Sequence, residues 1–187
     1  MGALVRAFIA IEVPEKIRQG LGRIQQKLQV SGLKVRWTHA QGMHLTLKFL
    51  GDIRREVVPE AARLMREASA GVGRLELTVG GLGSFPKNRP PRIVWVGVSG
   101  DVEPLAALAE RLEEGARQLG AKGEDRRYVP HLTLGRIQNV PDDFARTLAE
   151  MGDPVLGTFQ AEGLTLFMSE LKPEGSIYTV LDHVAFG

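Results

Sequence analysis

The segment RAFIAIEV (6–13) is a run of apolar and β-branched residues that predicts a strand. The period then changes, with Ile17, Leu21, Ile24 and Leu28 recurring at helical spacing. Pro14 suits the first position of that helix and Ser31-Gly32 its end. Two extended segments follow, LKVRWTH (33–39) and MHLTLKFLG (43–51), around a short AQG turn. A second helix is expected near Pro59, with Ala62, Met65 and Ala68 turned inward. RLELTV (74–79) alternates cleanly, GGLGSFPKNRPP (80–91) reads as a loop with GGLGS as its turn, and RIVWVGV (92–98) reads as a buried strand. The third helix has Asp101 before it, Pro104 in its first turn, Leu105, Leu108, Leu112 and Leu119 along it, and Gly120 to stop it. A strand at RYVPHLTLG (127–135), a short helix over 141–151 and two or three closing strands through 158–171 and 176–186 complete the chain.

Strands and helices interleave throughout, and many strand connections are short enough for hairpins. That pattern predicts an α+β fold of antiparallel sheets with helices packed outside. One word occurs twice. His44-Leu45-Thr46-Leu47 and His131-Leu132-Thr133-Leu134 are identical and 131 − 44 = 87 positions apart. From this chain's own residue frequencies, HLTL is expected by chance on the order of three times in a thousand such chains. Each copy lies in its own half of the sequence, flanked by helices. The expectation is a single bilobal domain over 1–187, with two similar lobes related by a pseudo-twofold axis around a central groove.

Alternate side chains of a strand share a face, about 7 Å apart. His44 and Thr46 therefore point one way while Leu45 and Leu47 bury, and the same holds for His131 and Thr133 against Leu132 and Leu134. Two displayed His-Thr pairs facing each other would make a symmetric polar cleft. One imidazole can take a proton while the other gives one. Threonine hydroxyls can donate to the non-bridging oxygens of a phosphoryl group without adding charge. A base on one side of phosphorus and an acid on the other serve in-line displacement.

Composition narrows the alternatives. With no cysteine there are no disulfides, thiolate metal sites or cysteine nucleophiles, and a reducing compartment is favoured. H-E-x-x-H is missing and no carboxylate stands at a persuasive spacing beside either histidine, so no metal site and no cofactor is expected. The net charge of +2 is not that of a protein that coats duplex nucleic acid. Local clusters at Lys34 and Arg36, Lys87 to Arg92 and Lys122 to Arg127 remain able to hold a phosphate or an RNA end. The opening MGALVRAFIAIEV is too short to span a bilayer and is interrupted by Arg6 and Glu12; a cytoplasmic monomer without a membrane anchor is expected.

The two H-L-T-L words resemble the paired H-x-T-x signature of the two-histidine (2H) phosphoesterase superfamily. RAFIAIEVPEKI, HLTLKFLGD, PPRIVWVGV, PHLTLGR and LFMSELKPEGSIYTVL resemble, in the same order, segments of its RNA 2′,3′-cyclic phosphodiesterase branch, historically called 2′–5′ RNA ligase. The resemblance spans essentially the whole chain. It implies a bilobal α+β fold whose motif strands line a groove, with His44 and His131 as the catalytic pair and Thr46 and Thr133 on the phosphate. The implied reaction is metal-free hydrolysis of RNA 2′,3′-cyclic phosphate ends to 2′-phosphomonoesters, tRNA fragments being one candidate substrate. Its reversible companion joins a 5′-hydroxyl in a 2′–5′ linkage. For a 2′-phosphate product the 3′-oxygen must leave; His44 is assigned as its acid and His131 as the base on water, an order that the motif's symmetry leaves open. Arg136 matches the arginine after the second motif and would pair with the phosphate, although strict alternation aims it at the core unless Gly135 lets the strand turn.

Other residues are candidates for RNA contact. Lys48 shares the parity of His44 and Thr46 and would add charge to the groove or run to solvent, and Arg126 and Arg127 flank the second motif. Tyr128 and Phe49 are aromatics able to stack on a base, but Phe49 has the parity of Leu45 and Leu47 and is expected in the core. His39 and His183 read as structural or surface residues. Two rival functions stay open, a non-catalytic RNA-end or nucleotide-binding module and a cyclic phosphodiesterase for small nucleotides such as ADP-ribose cyclic phosphate.

Overall fold

A computed structural model describes residues 3–87, 90–172 and 175–187. Residues 1–2 of the opening segment, 88–89 of the basic stretch Lys87 to Arg92 and 173–174 of the last matching segment lie outside the described residues. Nine strands and four helices are defined among the described residues: β1 (Leu4–Ile11), α1 (Glu15–Val30), β2 (Lys34–Trp37), β3 (Leu45–Arg54), α2 (Val58–Ser69), β4 (Leu75–Phe85), β5 (Ile93–Gly100), α3 (Val102–Gln118), β6 (His131–Asn139), α4 (Phe144–Glu150), β7 (Val155–Ala161), β8 (Gly163–Lys172) and β9 (Gly175–Ala185). The expected α+β class holds. All the strand pairs are antiparallel, in a four-stranded sheet ordered β3-β1-β8-β9 and a five-stranded sheet ordered β2-β6-β5-β4-β7.

The helical periods place the core. Ile17, Leu21, Ile24 and Leu28 of α1, Ala62, Met65 and Ala68 of α2, and Leu105, Leu108 and Leu112 of α3 are buried. Most of these join Leu45, Leu47, Leu132 and Leu134 of the motif strands in one continuous apolar cluster that draws on both sheets. The two sheets therefore share a core instead of each keeping its own. No helix among the described residues is long and apolar enough to cross a membrane.

One expectation is overturned. GGLGS is not a turn: β4 runs through it to Phe85. Gly81, at φ 77°, lies in the bulge between the Val79 and Leu82 pairings, and Gly83 pairs with Trp95. The indole of Trp95 lies over Gly83, where a Cβ would collide with the ring. Gly83 is there because the Trp95 indole covers the strand at that point, a use that turn statistics cannot distinguish. The second motif strand also begins later than expected, at His131, so Arg126, Arg127 and Tyr128 lie in the loop before it.

Candidate active site

Each motif strand carries an extra residue at the same place. In β3, Ala10 pairs with Thr46 and Ile9 with Lys48, so Leu47 is the extra residue. In β6, Trp95 pairs with Thr133 and Val94 with Gly135, so Leu134 is the extra residue. Both are the fourth residue of HLTL. A bulge turns two successive residues to one side and reverses the parity beyond them. Leu47 and Lys48 accordingly both turn inward, as do Leu134 and Gly135, and all four are buried.

The bulges settle three directions that strict alternation gets wrong. Lys48, 5% exposed, leaves the face of His44 and Thr46. Its ammonium donates to Glu113 Oε2 at 2.6 Å and to the Lys122 carbonyl at 2.9 Å. Desolvation pushes Glu113 up, but hydrogen bonds from Lys48, the Glu124 N–H and Arg117 outweigh it and hold the carboxyl below its ordinary value. Lys48 is thus an inward strut tying the first motif strand to the loop before the second; both of its expected places, in the groove or out to solvent, are corrected. Phe49, expected in the core, is 62% exposed and packs on Phe8, with ring centroids 5.7 Å apart. Arg136 is exposed opposite Ile93, two residues from Trp95, and so returns to the face of Thr133. Phe49 and Arg136 occupy the same position, five residues after their histidines.

Each histidine sits in an aromatic collar. His44 lies 4.3 Å from Phe167, 5.4 Å from Tyr178 and 5.9 Å from Phe8, ring centre to ring centre. Burial lowers its pKa to about 4, against the pull of the Glu12 carboxylate, with Arg18 adding to the lowering. Its Nδ1 is buried and meets no hydrogen-bond partner among the described residues, so only Nε2 is left to meet a ligand. His131 lies 5.1 Å from Phe85 and 6.1 Å from Trp95. Burial lowers its pKa too, partly offset by a 2.7 Å hydrogen bond between Nδ1 and the Val129 carbonyl. A carbonyl only accepts, so Nδ1 carries the proton and Nε2 of neutral His131 is left with a lone pair.

The remaining candidates separate by environment. The Tyr128 hydroxyl donates to the Thr46 carbonyl at 3.2 Å, bridging the seam between the motif strands, and burial pushes its phenol up. Its ring packs against the core, not as a free stacking platform. Arg126 is exposed and paired with Glu124, and Arg127 is exposed. His39 is exposed beside a shallow cavity of about 430 Å³ that Gln41, Lys172 and Ser176 also line. His183 Nδ1 lies 3.0 Å from Thr165 Oγ1, which in turn donates to Glu12 Oε1 at 2.8 Å.

Glu12 and the collars are what sequence reading missed. Glu12 directly follows Ile11, which pairs with Leu45, and so stands next to His44 across the strands. The only sequence signal for it is a carboxylate closing an apolar run. Phe8, Phe85, Trp95, Phe167 and Tyr178 carry no local signal, because five different strand pairings bring them to the histidines.

The comparisons agree with this geometry. The LigT-like phosphoesterase profile matches residues 11–95 and again 96–178. A protein of Methanothermobacter thermautotrophicus named RNA 2′,3′-cyclic phosphodiesterase is 33% identical, over 95% of this chain and 97% of its own. A Thermotoga maritima protein of the same name is 31% identical, over 97% and 96%. Among solved structures, a Thermus thermophilus protein superposes with a TM-score of 0.80 at 28% identity, covering 97% of each chain. E. coli LigT complexed with 3′-AMP superposes with a TM-score of 0.78 at 25% identity, covering 98% of this chain and 99% of its own. With two HLTL strands bulged at the same residue and the profile matched once in each half, the chain belongs to the LigT-like phosphoesterase family of the two-histidine phosphoesterase superfamily.

Proposed function

We propose that this protein hydrolyses RNA ends bearing a 2′,3′-cyclic phosphate to 2′-phosphomonoesters, and that it joins such ends to 5′-hydroxyls in the related direction. The observation that carries the reading is the repeated bulged strand, which shows one His-Thr pair from each half of the chain on the face turned away from the core. The names of the relatives support the substrate class. The absence of cysteine supports a cytoplasmic site of action.

In this scheme Thr46, Thr133 and Arg136 hold the non-bridging oxygens. His131 Nε2 removes a proton from water as its oxygen bonds to phosphorus. The P–O3′ bond breaks on the opposite side, and His44 Nε2 protonates the departing 3′-oxygen, leaving a 2′-phosphate and a 3′-hydroxyl. The fixed tautomer of His131 favours it as the base and breaks the symmetry of the two motifs. His44 has to be protonated to act as the acid. The anionic cyclic phosphate raises its pKa from the depressed value of the free protein, and Glu12 pulls in the same direction. A 5′-hydroxyl in place of water gives the 2′–5′ linkage. Phe49, exposed and packed on the Phe8 ring that also neighbours His44, offers a face for the terminal base.

The test is a short RNA ending in 2′,3′-cyclic phosphate, incubated in excess EDTA, with the position of the product phosphate resolved. A 2′-phosphate is expected. His44→Ala and His131→Ala should each cost about 10²–10⁴-fold in rate with the circular dichroism spectrum retained. Binding without turnover by the unaltered protein would leave an RNA-end-binding module, and full activity in either variant would end the acid–base scheme.

A further inference from the structure

The five-stranded sheet carries a second basic feature on the groove side that the reaction above does not use. Arg36 of β2 pairs directly with Arg136 of β6, while their neighbours Val35 and Trp37 pair with Ile137 and Gly135 and pack on the core. Alternation therefore puts Arg36 on the same face as Arg136, and the bulge at Leu134 puts that face in line with Thr133 and His131. Both arginines are exposed. Among the described residues neither forms an ion pair with a carboxylate. Like charges directly opposite each other destabilise a sheet, and an anion between two guanidinium forks relieves that repulsion.

We infer that Arg36 is a second phosphate subsite, which takes the 5′-phosphodiester of the terminal nucleotide while Arg136 serves the cyclic phosphate. The inference rests on the proposed phosphodiesterase reading and adds to it a requirement for polymer. A nucleoside 2′,3′-cyclic phosphate fills only the Arg136 site; an RNA end fills both. Arg136 lies past Thr133 on the strand that carries His131, with Arg36 beside it on β2, so the chain of the RNA runs from the histidines along β6 toward the β2 edge of the sheet.

The experiment compares kcat/KM for adenosine 2′,3′-cyclic phosphate and for the dinucleotide ApA ending in 2′,3′-cyclic phosphate. The unaltered protein should prefer the dinucleotide. Arg36→Met should cut that preference about tenfold, the order expected for losing one charge-assisted contact to phosphate, mainly through KM. Arg36→Lys, which keeps the charge but not the fork, should fall between the two. The preference of the unaltered protein should also fall more steeply with salt than that of Arg36→Met. A preference unchanged in Arg36→Met, or no preference in the unaltered protein, overturns the subsite. If Arg36→Met unfolds, Arg36→Lys decides by the same ratio. Hydrolysis of neither compound by the unaltered protein would instead sink the phosphodiesterase reading.

Discussion

The two histidines are chemically unlike although their sequence words are identical. His131 is held in one tautomer by the Val129 carbonyl, whereas His44 is packed against Phe167 with its Nδ1 unpartnered among the described residues. Unperturbed imidazoles would give a bell-shaped rate profile spanning neutrality. Both are lowered here, His44 to about 4. In the proposed acid–base scheme the base must be neutral, which is achieved above its lowered pKa, and the acid must be charged, which is lost above its own. Both limbs of the kcat/KM profile, which reports the free enzyme, are therefore expected below pH 6.5. The profile of kcat, measured with the anion bound, should lie at higher pH. A kcat/KM optimum above pH 6.5 would contradict the burial argument. None of this was legible in the sequence. HLTL identifies the residues, but their collars come from β1, β4, β5, β8 and β9, which only the fold brings near.

Helices and strands were largely readable because their periods are set by the shared core: the apolar stripes of α1, α2 and α3 bury as their spacing predicts. What could not be read was the bulge on β3, since nothing beside Leu47 marks it, and Lys48 and Phe49 both follow from that omission. On β6 Gly135 did mark the place where the strand turns and returns Arg136 to the face of Thr133. The bulge on β6 also explains Gly135: a Cβ there would run into the Val35 side chain, the Arg36 carbonyl and Trp37 Cα. Gly135→Ala must push β2 away, and a loss of about 1–3 kcal/mol is expected, measured by urea denaturation. An unchanged midpoint would mean that β2 is free to shift. GGLGS taught the same lesson from the other side, since its last glycine, Gly83, clears space for an indole and the segment does not reverse the chain.

At the scale of the whole molecule, each sheet is built from both halves of the sequence. β1 and β3 need β8 and β9 to complete the four-stranded sheet, while β2 and β4 belong to the sheet of β5, β6 and β7. Cutting the chain between Gly100 and Asp101, at the end of β5, would leave neither fragment with a complete sheet. Each fragment alone is expected to lack cooperative unfolding, and mixing the two should restore it together with cyclic phosphodiesterase activity. A fragment that melts cooperatively by itself would show that the halves are separate folding units.

The exchanged strands also bear on how such a molecule could have begun. β3 and β6 carry the same bulged word, and β4 and β8 each flank the strand next to it, on the far side from the motif. A single ancestral half would have held one histidine and an incomplete sheet, so it could neither fold nor react alone. Two copies trading strands would have formed both sheets and both sides of the active site at once. Joining two such copies end to end would free them to diverge, so that the position five residues after the histidine could hold an aromatic in one half and a cation in the other. A profile matched once in each half is the trace that such a fusion would leave in one chain.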